Sequence, residues 1–101
     1  MVKHIVMFKL KGTPEERKRV AEEFAAAINA LPAQIDVLRS VESAINSNPA
    51  ETWDVVLTAT LDTMEDVEKY ARHPAHVAAA TILGPWKENR ACVDYETGSI
   101  G

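Results

Sequence analysis

One tyrosine and three histidines carry most of the chemistry this chain can offer. Tyr70, His73 and His76 fall within seven residues, Tyr70-Ala71-Arg72-His73-Pro74-Ala75-His76, and His4 lies close to the N-terminus. A neutral imidazole can take a proton from a carbon next to a carbonyl. A phenol can donate a hydrogen bond to the oxygen on which charge then gathers. Together such groups suit an enolisation followed by carbon–carbon bond formation, with no cofactor. In one continuous helix Tyr70 and His76 would point about 120° apart. Pro74 breaks the helix between them and lets both turn toward one cavity, with His4 on its floor. A competing assignment places the Tyr70 ring in the core with its hydroxyl bonded locally, and makes His73 only a helix cap.

Metal binding is the weaker alternative. His73 and His76 could share a ligand face with His4 as a third donor, but Pro74 spoils regular i,i+3 geometry, and no metal or other cofactor is expected. A glycine-rich phosphate loop, a nucleophile elbow and a helical H-E-x-x-H are all missing. Cys92 is the only cysteine, so no intrachain disulfide can form; it is expected to be a small buried apolar side chain.

The elements that must position these groups can be read from periodicity. Residues 2–10 alternate as a strand, with Val2, His4, Val6, Phe8 and Leu10 on one face and Ile5 and Met7 on the other. Thr13-Pro14-Glu15-Glu16 is a capping box with proline at the first helical position. Val20, Phe24, Ile28 and Leu31 follow at helical spacing, and Pro32 is expected to end that helix. Residues 36–46 and 52–61 read as two strands joined through Asn46-Ser47-Asn48-Pro49. Trp53, Val55, Leu57, Ala59 and Leu61 share one face of the latter. Thr63 caps a second helix whose inward stripe is Val67, Tyr70 and Ala71. Pro74 interrupts it, and a further piece runs to Leu83. Residues 89–96 form a last strand, and residues 97–101 are expected to fray.

The order β-α-β-β-α-β predicts an α+β domain of ferredoxin-like type: a four-stranded antiparallel sheet with two helices on one face. A length of 101 residues suits one domain. Ile5, Met7 and Val56 would lie on the uncovered face, and an exposed apolar sheet face calls for a partner. A second copy is the simplest, giving a homodimer that closes as an α/β barrel.

Composition excludes other classes. The chain is 47% hydrophobic and 26% charged with a net charge of −4, which argues against nucleic acid as a partner. The basic run Arg17-Lys18-Arg19 follows Glu15 and Glu16 and reads as a solvated helix face. The uncharged stretch Val77–Trp86 is broken by Gly84-Pro85 and is about half the length a membrane span needs. With no targeting segment visible, a cytoplasmic location is expected.

Three segments carry a family resemblance. Val2-Lys3-His4-Ile5-Val6-Met7-Phe8-Lys9-Leu10, and Tyr70 through Val77 followed by Val93-Asp94-Tyr95-Glu96, resemble the stress-responsive dimeric alpha–beta barrel (Dabb) domain, with the match running from residue 2 to about residue 96. The resemblance implies a ferredoxin-like protomer paired sheet to sheet. One plant member closes a linear polyketide by aldol condensation. By the motif, its catalytic tyrosine and histidine fall on Tyr70 and His76, and its strand-one histidine on His4. That implies Tyr70 as oxygen-stabilising donor and His76 as general base. On helix one, Val20, Ala21 and Phe24 stand where that cyclase has an aromatic wall, so the substrate does not carry over.

The expectation is a Dabb homodimer with a small apolar cavity between helices and sheet, lined by His4, Val6, Phe8, Phe24, Leu57, Tyr70 and His76, with His73 beside it, for an apolar carbonyl ligand. Whether it is an enzyme is left open. The alternatives are a cofactor-independent cyclase or lyase using Tyr70 and His76, a non-catalytic binding protein, and a ferredoxin-like monooxygenase.

Overall fold

The period-two pattern at the N-terminus becomes strand β1, Val2–Leu10, which lies inside a four-stranded sheet. The computed structural model describes residues 1–98. Helix α1, Pro14–Asn29, follows, then a short 3-10 turn at Leu31–Ala33, β2 at Ser40–Ile45, β3 at Val55–Leu61, α2 at Met64–Arg72, α3 at Pro74–Leu83, and β4 at Lys87–Glu96. The sheet order is β2-β3-β1-β4 with every neighbour antiparallel. This is the ferredoxin-like arrangement, with its second helix in two pieces.

The helix starts follow their local chemistry. Thr13 Oγ1 accepts from the Glu16 N–H at 3.2 Å, and Glu16 Oε1 accepts from the Thr13 N–H at 2.9 Å. Two otherwise orphaned donors are thereby satisfied. Thr13→Ala should lower unfolding stability by about 1 kcal/mol, measurable by urea denaturation. Val20, Phe24 and Ile28 are buried as one stripe.

Several boundaries differ from the sequence reading. Helix α1 stops at Asn29, and Pro32 sits inside the following 3-10 turn. Proline has no N–H to continue the ladder, and it disfavours helical backbone at Leu31 before it. Strand β2 is shorter than 36–46 because residues 35–38 are a chain of turns. The Ile35 N–H donates to the Leu31 carbonyl and the Leu38 N–H to the Ile35 carbonyl, which buries Ile35 and Leu38 three residues apart. Strand β3 starts at Val55, since the Asp54 carboxylate turns back to accept from the Leu10 N–H at 2.7 Å and from Arg17 at 3.3 Å. Ala71 is exposed and does not continue the buried stripe of Val67 and Tyr70. Strand β4 begins two residues early, at Lys87. Thr97 does not fray: its N–H donates to the Met1 carbonyl at 2.8 Å. Residues 99–101 lie outside the described residues.

Residues directly opposite each other across strands share a face. On the helix side, Val6 lies between Leu57 and Cys92, and His4 between Ala59 and Asp94. On the other side, Ile5 lies between Thr58 and Val93, and Met7 between Val56 and Ala91. Among the described residues no helix covers that second face, and its residues Val93 and Tyr95 are about half exposed, at 55% and 47%. Among the described residues, no helix is long and apolar enough to cross a membrane.

Candidate functional site

Strand alternation aims His4, Val6 and Phe8 of β1 and Leu57 of β3 toward the helices. Phe24 of α1 meets Phe8 edge to face, with ring centroids 5.6 Å apart. Helix α3 then closes over them. The space left is a cavity of about 250 Å³ lined by His4, Val6, Phe8, Phe24, Leu57 and His76, together with Ala71, Ala80, Leu83, Lys87 and Arg90.

The break at His73-Pro74 explains how His76 reaches this space. His73 leaves the helical backbone, at φ −63° and ψ 136°, and its Nδ1 accepts from the Ala75 N–H at 3.0 Å. It caps α3, as the alternative reading of His73 had it, and does not line the cavity: its ring is committed to the helix start. The new helix direction brings the His76 ring to 4.5 Å from the Tyr70 ring, centroid to centroid, with the planes tilted by 56°. His4 meets the Tyr70 ring edge-on at 6.0 Å.

The protonation pattern follows from the partners. A carbonyl oxygen only accepts, so His76 donates from Nδ1 to the Ala71 carbonyl at 2.9 Å, and its Nε2 keeps a lone pair. Burial lowers the His76 pKa from its ordinary value; the Ala71 hydrogen bond opposes this, and the nearby His4 and Arg90 add to the lowering. His76 is therefore neutral at pH 7. His4 donates from Nδ1 to the Asp94 carboxylate at 2.5 Å, which fixes its ring.

Tyr70 has no exposed surface and does not form part of the cavity wall, which differs from the expected lining; its ring packs behind His4 and His76. Its hydroxyl is the one buried side-chain polar atom without a hydrogen-bond partner among the described residues. Burial pushes its pKa up to about 12, so it stays a proton donor across the physiological range. The competing expectation of a locally bonded hydroxyl is not met.

Sequence reasoning gave no role to Asp94, Lys87 or Arg90. For Asp94 and Arg90 the signal was the alternation of β4: once β4 is paired with β1, Arg90 falls opposite Phe8 and Asp94 opposite His4, whereas Lys87 is out of phase with them and falls opposite Leu10 only through a slip in the ladder. Cys92, expected to be buried, is exposed, because among the described residues β4 packs mainly on β1 and no helix lies over it. Partial desolvation of the sulfur, then the Asp94 carboxylate, raises the thiol's pKa, so it is a poor nucleophile. His4, Cys92 and Asp94 lie close enough together to serve as three ligand donors, but His4 and Asp94 are already bonded to each other.

The model of the Stress responsive A/B Barrel Domain, Dabb, matches residues 2–97. A solved dimeric protein of unknown function and ferredoxin-like fold from Bacteroides fragilis superposes with a TM-score of 0.92 at 52% identity, covering 95% of each chain. An uncharacterized protein of Streptomyces coelicolor is 34% identical over 100 residues, 95% of this chain and 99% of its own length. Olivetolic acid cyclase of Cannabis sativa is 25% identical over 96 residues, 93% of this chain and 94% of its own.

Proposed function

The chain belongs to the stress-responsive A/B barrel (Dabb) domain family, and from that premise we propose that it is a homodimeric, cofactor-independent enzyme of the cyclase or lyase type. His76 Nε2 takes a proton from the carbon next to a substrate carbonyl. Tyr70 lies behind His4 and His76 rather than in the cavity wall, so in this proposal those rings shift aside as substrate enters, and the Tyr70 hydroxyl then donates its hydrogen bond to the carbonyl oxygen as that oxygen becomes an enolate. The enolate carbon then attacks a second carbonyl, whose oxygen becomes an alkoxide and takes back the proton held by His76, or a carbon–carbon bond breaks by the same steps in reverse.

One observation carries this reading. The Tyr70 hydroxyl is enclosed without a partner among the described residues, beside an imidazole whose only free nitrogen is a base. A buried hydroxyl left unsatisfied costs about 1–3 kcal/mol, a strain that an incoming oxyanion would relieve. His4, Nδ1 bonded to Asp94, supports the floor of the same space. Acid–base groups of this kind favour proton transfer over the monooxygenase alternative. The relationship to a cyclase points the same way.

The test uses phenylacetone, whose apolar body and acidic α-carbon suit a cavity of about 250 Å³. In heavy water the protein should speed exchange of the α-hydrogens, followed by NMR, well above a buffer control. Exchange no faster than buffer would sink the enzymatic reading and leave the binding-protein alternative.

The homodimer forms, in this proposal, through the uncovered sheet face. The half-buried Ile5, Met7 and Val56 and the exposed Val93 and Tyr95 supply the apolar surface, and the similar Bacteroides fragilis protein is dimeric. Val56→Glu should convert the dimer to a monomer in sedimentation at micromolar concentration, because burying an unpaired carboxylate there is strongly unfavourable. A Val56→Glu protein that stays dimeric would place the interface elsewhere.

A further inference from the structure

We infer that the ligand of the cavity is an organic anion, a small apolar carbonyl compound whose carboxylate is held by Lys87 and Arg90. This rests on the reading of the cavity as the substrate site, and it adds the chemical class of that substrate.

The chain is acidic overall, with 15 acidic against 11 basic residues, yet the cavity wall holds Lys87 and Arg90 and no carboxylate. Neither cation makes an ion pair among the described residues. The nearest acid on that face, Asp94, is engaged by His4 and lies outside the wall. Arg90 is close enough to His76 to help hold its pKa down.

Strict alternation would not produce this rim. Counting back from Arg90, Glu88 would face the cavity and Lys87 the opposite side. The ladder instead slips between Lys9 and Leu10: Asn89 pairs with Lys9, and Lys87 pairs with Leu10. One extra residue, Glu88, is accommodated, and its carboxylate goes to Lys9 on the far face at 3.0 Å. The irregularity thus replaces an acid with a cation at the cavity rim, the re-aiming of a side chain that bulges perform. Both cations are solvent-exposed, while Val6, Phe8, Phe24 and Leu57 make the interior apolar. A molecule with an apolar body and a charged end fits that polarity: body inward against the phenylalanines, carboxylate at the rim.

The test is calorimetry at neutral pH with two isosteric probes, phenylbutyrate and phenylbutyramide. The acid should bind roughly tenfold to a hundredfold more tightly than the amide. The double variant Lys87→Gln, Arg90→Gln should bring the acid down to the amide's affinity and leave the amide unchanged. Both residues are exposed, so folding should not be affected. Added sodium chloride should weaken the acid only. Equal affinities, no binding of either probe, or a double variant that weakens both alike would overturn the inference. A retained preference for the acid, with no α-hydrogen exchange of phenylacetone, would uphold the anion site and reject the base-and-donor chemistry alone.

Discussion

His76→Ala is expected to lower α-proton exchange by about 10²–10⁴-fold, the range over which a positioned general base contributes. The reason lies in how the ring is held. Nδ1–H is committed to the Ala71 carbonyl, so the base is Nε2 and no tautomer shift is needed before it acts. Burial keeps the ring neutral. In the wild type the rate should therefore rise with pH through a midpoint below 6.5 and level off above it. His76→Gln should remove that inflection as well as the rate. Stability carries the same signature. The folded pKa of His76 is lower than the unfolded one, so the unfolded chain binds more protons as pH falls. The contribution of neutral His76 is fully present above about pH 6.5 and is lost as pH falls toward the folded pKa. His76→Gln should flatten that part of the stability curve, read by urea denaturation across pH. A wild-type rate midpoint above 7, or full activity in His76→Ala, would contradict the assignment.

The fold was legible because its signals are local. Alternation in Val2–Leu10, the capping box at Thr13 and Glu16, and the proline at residue 74 each determine backbone geometry within a few residues, and the observed elements follow them. What the sequence hid depends on contacts distant along the chain. The turns that bury Ile35 and Leu38 look strand-like in hydropathy, and only their packing makes them turns. His73 and His76 look equivalent by residue type, yet one ring caps α3 and the other faces the cavity, because the Pro74 break gives His73 extended backbone. Lys87 and Arg90 gained their place from pairing with β1 and from a one-residue slip in the ladder. Asp94 meets His4 across 90 positions of sequence. None of these is visible to a periodicity that looks only a few residues ahead.

Tyr70→Phe should separate function from stability in opposite directions. Removing the hydroxyl takes away no hydrogen bond, because the group has no partner among the described residues. It removes a buried polar atom from a side chain with no exposed surface, and the ring contacts with His4 and His76 stay. The variant should unfold at higher urea and be about 1 kcal/mol more stable, the lower end of the cost of an unsatisfied buried group. If the phenol stabilises an enolate oxygen, the same change should lower the exchange rate by about 10²–10³-fold. A merely structural tyrosine would not behave so: a locally bonded hydroxyl would lose stability on replacement, and a catalytically idle one would leave the rate alone. A Tyr70→Phe protein that is less stable would mean the hydroxyl finds a partner in solution. One that is more stable yet fully active would leave His76 without its electrophile. The wild-type phenol titrates only near pH 12, so its donor role should impose no alkaline limb on the rate below that value. The pairing of a stabilising substitution with a large loss of rate is what a site that keeps an unsatisfied donor in reserve for its transition state demands.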